Sequence, residues 1–133
     1  MGIKGGEMVV GECEVSNLNQ SKKRPVLVFK DNLPFDDFIA IPISSKIGNM
    51  TKDEILIELK NFENGSIPVK SKLILRKTFV VSKTAVIKKY GTVKEDFFKY
   101  TKKRFCKYFE CWILNKGKIW FYVILEIQVQ NFL

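Results

Sequence analysis

The sequence predicts a mainly β domain with one C-terminal amphipathic helix, an α+β arrangement of the small-barrel kind. Three observations predict it. Short β-branched runs separated by polar turns fill the first two thirds, the hydrophobic period changes to that of a helix near Thr92, and 133 residues suit a single core. Many short strands followed by one helix is the pattern of a small barrel with a helix packed against it.

The elements follow in order. Glu7 to Val15 is of mixed character, whereas Pro25-Val-Leu-Val-Phe29 and Phe38-Ile-Ala-Ile-Pro-Ile43 are compact strands bounded by turn formers such as Asp31-Asn32 and Ser44-Ser45. Pro42 lies inside the second run, so that strand is expected to be an edge, bulged or bent there. Glu54-Ile-Leu-Ile-Glu-Leu59, Lys72-Leu-Ile-Leu75 and Phe79-Val-Val81 continue the β pattern, with Asn64-Gly65 as a turn between the first two. The polar stretch Ser16 to Lys23 reads as a loop that orders over a ligand, with Arg24 at its base.

From Lys94 to Leu114 the apolar residues Phe97, Thr101, Phe105, Tyr108, Phe109, Trp112 and Ile113 recur at three and four, and Lys99, Lys102, Lys103 and Lys107 take the opposite face. Thr92 with Glu95 three later is the expected capping box. A single domain over residues 1–133 follows, with its core in about 5–114 and a C-terminal extension at 115–133. Within that extension, alternation around Ile127 and Val129 suggests a further strand.

Composition narrows the function classes. Twenty-three Lys and Arg against fourteen Asp and Glu give a formal charge of +9, which draws anionic partners, nucleic acid foremost, with acidic proteins and anionic membrane surfaces sharing that preference. The three cysteines, Cys13, Cys106 and Cys111, have no Cys-x-x-Cys spacing, and there is no histidine, so neither a metal site nor a cofactor is expected. Cys106 and Cys111, five apart on a helix, are expected to point about 140° apart as free thiols of a reducing compartment. The N-terminus has no apolar signal-peptide core, and the longest apolar run near the C-terminus falls far below the ~20 residues needed to span a bilayer, so a cytoplasmic protein without membrane attachment is expected.

Four segments together resemble the MazF/PemK (Kid)-like toxins of type II toxin–antitoxin pairs. These are Lys4-Gly-Gly-Glu7-Met-Val-Val10, Ser21-Lys-Lys-Arg24-Pro25-Val-Leu-Val28, Asp37-Phe-Ile-Ala-Ile-Pro-Ile43-Ser44-Ser45-Lys46, and Ser82-Lys83-Thr-Ala-Val-Ile-Lys88-Lys89-Tyr-Gly91, the last similar to the family's closing strand and its Lys-x-Gly turn. The resemblance implies an SH3-like barrel, a homodimer, and a metal-independent, sequence-specific endoribonuclease that cleaves single-stranded mRNA and is silenced by a cognate antitoxin. It also implies that the Arg before Pro and the Ser after the second strand, here Arg24 and Ser44, are catalytic. Lys22, Lys23, Ser45, Lys46 and Arg76 are expected to contact RNA.

The chemistry supports these residue types independently. Cleaving RNA through its own 2′-OH requires charge on the phosphorane to be neutralised, and a guanidinium does this with a forked pair of N–H donors. Pro25 holds Arg24 extended and fixes its direction. A serine hydroxyl can hold the 2′-OH or a phosphate oxygen in line, as an orienter. The sequence departs from the resemblance at Arg76 and Ser82, where acidic residues are often found. Two other readings therefore stand beside the nuclease: a toxin fold that grips a protein such as DNA gyrase, and a catalytically degenerate member.

Overall fold

A computed structural model of the chain describes residues 2–15 and 20–111, with the backbone alone for 13–15 and 20–22. Strands β1 (Glu7–Val15) and β2 (Gln20–Lys30) form a long antiparallel hairpin in register from Met8↔Leu27 to Val15↔Gln20. The stretch expected to be a loop as far as Lys23 is thus strand from Gln20 onward. Its backbone bonds are made by β1, and Lys23 lies opposite Glu12, so a polar sequence is held as strand by its partner.

Six shorter strands follow: β3 (Asp37–Ser44), β4 (Glu54–Ile57), β5 (Phe62–Gly65), β6 (Ser71–Ile74), β7 (Phe79–Ser82) and β8 (Val86–Val93). They curl into one antiparallel half-barrel in the order β4-β6-β3-β2-β1-β8-β5, with β7 also pairing β3. Helix α1 (Glu95–Phe109) follows the sheet. The expected class, mainly β with a C-terminal helix, is the class observed.

Alternation along the strands divides the apolar residues between two cores. The larger gathers Met8, Leu27, Phe29, Ile41, Ile43 and Leu73 with Phe97 of the helix; the smaller holds Val9, Val26, Val28, Phe38 and Ala40 on the other face. The helix seats itself on the first core through aromatic contact, with Phe105 stacked on Phe29 at 4.3 Å between ring centroids and Phe98 edge-on to the same ring at 6.3 Å. Stacking of this kind adds roughly 0.5–1.5 kcal/mol to the burial itself.

Several local expectations are corrected. Thr92 belongs to β8 and caps nothing; Lys94 is the N-cap, without a side-chain bond, because the strand runs directly into the helix. The Lys89-Tyr90-Gly91 turn is continuous strand, and Asn64-Gly65, expected to be a bare turn, forms the end of β5 against it. Gly65 has φ +73°, and a Cβ at Gly65 or Gly91 would collide with the backbone of the other strand, so both positions require glycine. The apolar face of α1 is buried at Phe97 and Thr101 but half open at Tyr108 and Phe109, exposed by 40% and 46%.

Cys106 and Cys111 also depart from the helical projection. The helix ends at Phe109, Glu110 takes a left-handed conformation, and the Cys111 amide returns to the Cys106 carbonyl at 2.9 Å. The two free thiols therefore meet instead of diverging. Burial, with the Cys111 thiol beside it, pushes the Cys106 thiol up to about 12. Among the described residues no helix is long and apolar enough to cross a membrane. Trp112, Ile113 and the extension at 115–133 lie outside the described residues.

Candidate functional site

Strands β2 and β3 run side by side as far as Val26↔Pro42 and then part. Before Val26, β2 stays bonded to β1 through Arg24↔Gly11 and Lys23↔Glu12; beyond Pro42, β3 pairs with β6 through Ile43↔Leu73 and Ser44↔Lys72. Pro42, which has no N–H to give, falls in the gap where the other edge of β3 leaves β7 at Ala40 and has yet to meet β6 at Ile43. The expected bend at this proline is a change of partner.

Alternation then sets which side chains share a face. Val26 and Ala40 lie in the smaller core, so Arg24, two residues beyond Val26, and Ser44, two beyond Pro42, share that face at equivalent register positions. Lys23 and Ser45 share the opposite face, and both line one cleft of about 350 Å³ there, together with Val10, Pro25, Val69 and Tyr90. Arg24 is exposed and has no carboxylate partner among the described residues. The Ser44 hydroxyl accepts the Lys46 amide at 3.2 Å, a local turn bond that fixes the oxygen at the strand end.

Behind Ser44 stands a group of ion pairs. Lys72 places Nζ 2.9 Å from Glu54 Oε2 and donates to the Ile47 carbonyl at 3.0 Å, while Glu54 Oε1 accepts the Thr51 amide at 2.9 Å. One buried pair thus closes both ends of the segment 47–51. The Lys72 bond, helped by the Thr51 amide, holds the Glu54 carboxyl down at about 2 despite burial. Arg76 lies 2.7 Å from Asp53 and 3.6 Å from Glu54. Burial pushes the Asp53 carboxyl up, but hydrogen bonds from Thr51 and Arg76 outweigh it and the net shift is downward; the Asp53 bond in turn raises the Arg76 guanidinium. Arg104 of α1 ties the helix to this corner by donating to the carbonyls of Lys52 and Glu54 at 2.8 and 3.3 Å.

Residues 4–109 match the family model described as PemK-like, MazF-like toxin of type II toxin–antitoxin system. The chain belongs to this family. Among solved structures, a PemK/MazF-like fold of the same kind is found in the MazE–MazF complex of Deinococcus radiodurans, with TM-score 0.64, 12% identity, and coverage of 81% of this chain and 96% of that one. Toxin MazF-mt6 of Mycobacterium tuberculosis superposes with TM-score 0.57 at 13% identity over 77% and 96% of the two chains. An endoribonuclease of a mycobacterial species, solved with its cognate antitoxin, gives 0.58 at 12% over 80% and 93%. Curated protein sequences contain no match to the chain.

In this PemK/MazF-like toxin Arg24 and Ser44 lie on one face of the diverging strands, and Lys23 and Ser45 line a cleft on the other, with exposed Lys46 next in the chain. The side chain of Lys22 lies outside the described residues. Arg76 is set apart, its charge already matched by two carboxylates. The two departures from the family resemblance find local explanations. Near Arg76 the acid is supplied from another part of the chain, by Asp53, and Ser82 accepts the Thr84 amide at 3.3 Å, a capping bond that an aspartate also makes.

Sequence reasoning missed Glu54, Lys72 and Tyr90. A lysine opening the apolar run Lys72-Leu-Ile-Leu75 was a usable signal, because a lysine buried to 9% exposure must be paired. Its partner depends on the β4–β6 register, which no local pattern encodes.

Proposed function

We propose that this toxin is a sequence-specific endoribonuclease that cleaves single-stranded mRNA without a metal ion. The observation that carries the reading is the fork: Arg24, without a carboxylate partner among the described residues, and Ser44 lie on the same face, each two residues past the last β2–β3 pair, Val26↔Pro42. An uncompensated guanidinium at an open strand end is suited to an anion, and a hydroxyl on the same face is suited to aligning that anion.

In the reaction the ribose 2′-oxygen loses its proton and attacks the adjacent phosphorus. A new 2′-O–P bond forms as the P–O5′ bond breaks, and the departing 5′-oxygen takes up a proton, leaving a 2′,3′-cyclic phosphate and a 5′-hydroxyl. Arg24 neutralises the charge that grows on the non-bridging oxygens, and such a contribution is realised mainly in the transition state. Ser44, held by the Lys46 amide, orients the 2′-oxygen or a phosphate oxygen. Lys23, Ser45 and Lys46 attract and seat the strand, and the net charge of +9 speeds its approach.

Family membership supports the partners as well. We assign the chain a cognate antitoxin, a homodimeric state and a cytoplasmic site of action; solved relatives include toxins bound to an antitoxin. The test uses purified protein, a mixed single-stranded RNA and excess chelator. Cleavage with 2′,3′-cyclic phosphate ends, slowed about 10²–10³-fold by Arg24→Ala in a protein that stays folded, is the expected result. Intact RNA under all conditions, or cutting indifferent to Arg24→Ala, overturns the proposal.

A further inference from the structure

The C-terminal end of α1 carries two reactive groups that the fork does not use. The helix stops at Phe109, Glu110 takes a left-handed conformation with φ 58° and ψ 44°, and the Cys111 amide donates to the Cys106 carbonyl at 2.9 Å. A helix that ends this way brings the side chains of the two residues joined by that bond into contact, a place that apolar pairs commonly fill. Here both are cysteines, and both are free thiols. Five residues of regular helix would have turned them about 140° apart. The left-handed residue between them is what brings the sulfurs together.

The two thiols differ in access. Cys106 is 1% exposed, whereas Cys111 is half-buried and within reach of small reagents from solvent. That division suits a two-step oxidation, in which the accessible sulfur meets the oxidant and an adjacent sulfur resolves the product. Burial and the neighbouring thiol push the Cys106 thiol up, so it stays protonated and inert toward an oxidant in solution until its neighbour has reacted. The third cysteine stands elsewhere, Cys13 of β1 being paired in register with Lys22 of β2. The turn that holds the two sulfurs is also anchored, because Phe105 stacks on Phe29 at 4.3 Å and its ring lies 4.6 Å from that of Phe109.

We infer that Cys106 and Cys111 form a reversible disulfide when the protein meets hydrogen peroxide, and that this bond latches the last turn of α1. In the first step the Cys111 sulfur attacks the peroxide, the O–O bond breaks, and a sulfenic acid and one water result. In the second the Cys106 sulfur attacks the Cys111 sulfur, the S–OH bond breaks, and the Cys106 proton leaves with the hydroxyl as a second water. Two electrons pass from the sulfur pair to the peroxide, and a thiol reductant returns them by exchange. In a reducing compartment the free thiols are the resting form and the disulfide is a transient response to oxidant. None of these steps depends on the RNA-directed reading.

The reduced full chain is treated with hydrogen peroxide, blocked with iodoacetamide, digested with trypsin without reductant and read by mass spectrometry. Trypsin cuts after Arg104 and Lys107, so the disulfide joins the peptides Phe105–Lys107 and Tyr108–Lys116 with the loss of two hydrogens. That linked pair is expected to be the main oxidised product, to persist in Cys13→Ser, to be absent from Cys111→Ser and to separate in dithiothreitol. Thermal melts read the latch: oxidised wild-type protein is expected to unfold a few degrees above the reduced form, with no such gain in Cys111→Ser. Links formed chiefly through Cys13, or Cys111 driven to the sulfinic acid with Cys106 left free, overturn the disulfide. A linked protein that melts no higher than the reduced one overturns the latch.

Discussion

Two arginines show how differently the same side chain is used at two places on this sheet. Arg24, at the fork of β2 and β3, meets no carboxylate among the described residues, whereas Arg76, after β6, is held 2.7 Å from Asp53 and 3.6 Å from Glu54. The corner around Arg76 is charged and closed. Its acids and bases cancel within a few ångströms, and further bonds go to the backbone at Ile47, Thr51 and Arg76 and to the Thr51 hydroxyl. The fork is charged and open. Net charge therefore does not report where an anion binds; what matters is whether the surrounding acids have already used it, and here that distinction separates an open arginine from a paired one.

The largest effect comes from removing the open charge. Arg24→Ala is expected to lower the cleavage rate about 10²–10³-fold, the range for losing one donor to a developing oxyanion, with thermal stability almost unchanged because nothing in the described structure depends on it. Arg76→Ala should invert the pattern. Asp53, only 4% exposed, loses its guanidinium partner, so the thermal midpoint falls clearly while the residual folded fraction cleaves at nearly the wild-type rate. Melting curves and initial rates on one RNA substrate measure both. If Arg76→Ala costs as much rate as Arg24→Ala, the separation of the two regions is wrong.

That separation was only half legible in the sequence. The run Pro25 to Phe29, the run Phe38 to Ile43 and the phase of the helix face through Phe105 follow from period and residue type, which act locally and survive without knowing the fold. The choice of Arg24 and Ser44 came instead from the family resemblance. What could not be read is which charges find each other. Lys72 meets Glu54 because β6 aligns Leu73 with Ile55, and Arg76 meets Asp53 through the same alignment, twenty-three residues apart. Likewise the end of β5 can pair with β8 because Gly91 allows the backbone at Gly65 to approach it. Residues 20–23 were misjudged because their strand state comes from β1.

The closed corner also makes a prediction in pH. The Glu54 carboxyl sits at about 2 in the folded protein against 4.5 for the free group, so Glu54 stabilises the fold above about 4.5, and that contribution is lost as pH falls from 4.5 through about 2. Asp53 is shifted in the same direction. Wild-type protein should therefore lose thermal stability across this acid window, and Glu54→Gln should be less stable at pH 7 and show a shallower decline below pH 4.5. Calorimetric melts between pH 7 and 2 test it; parallel curves for the two proteins would mean that Lys72 is not held by Glu54 as described.

The smallest effect concerns Ser82, where the chain closes a turn with an uncharged hydroxyl cap. Its hydroxyl accepts the Thr84 amide at 3.3 Å and lies 2.8 Å from the Thr84 hydroxyl, at an exposed bend between β7 and β8. Ser82→Ala removes the cap and is expected to cost about 0.5–1 kcal/mol, while Ser82→Asp restores an acceptor at the same place and should fall within about 0.5 kcal/mol of wild type. Neither should move the cleavage rate, since the bond is local and Ser82 is not part of the fork. Urea unfolding with matched rate measurements decides the point. A large gain in rate from Ser82→Asp would show that an acid at this position takes part in the chemistry, and the division between open and closed charge would have to be redrawn to include the β7–β8 turn.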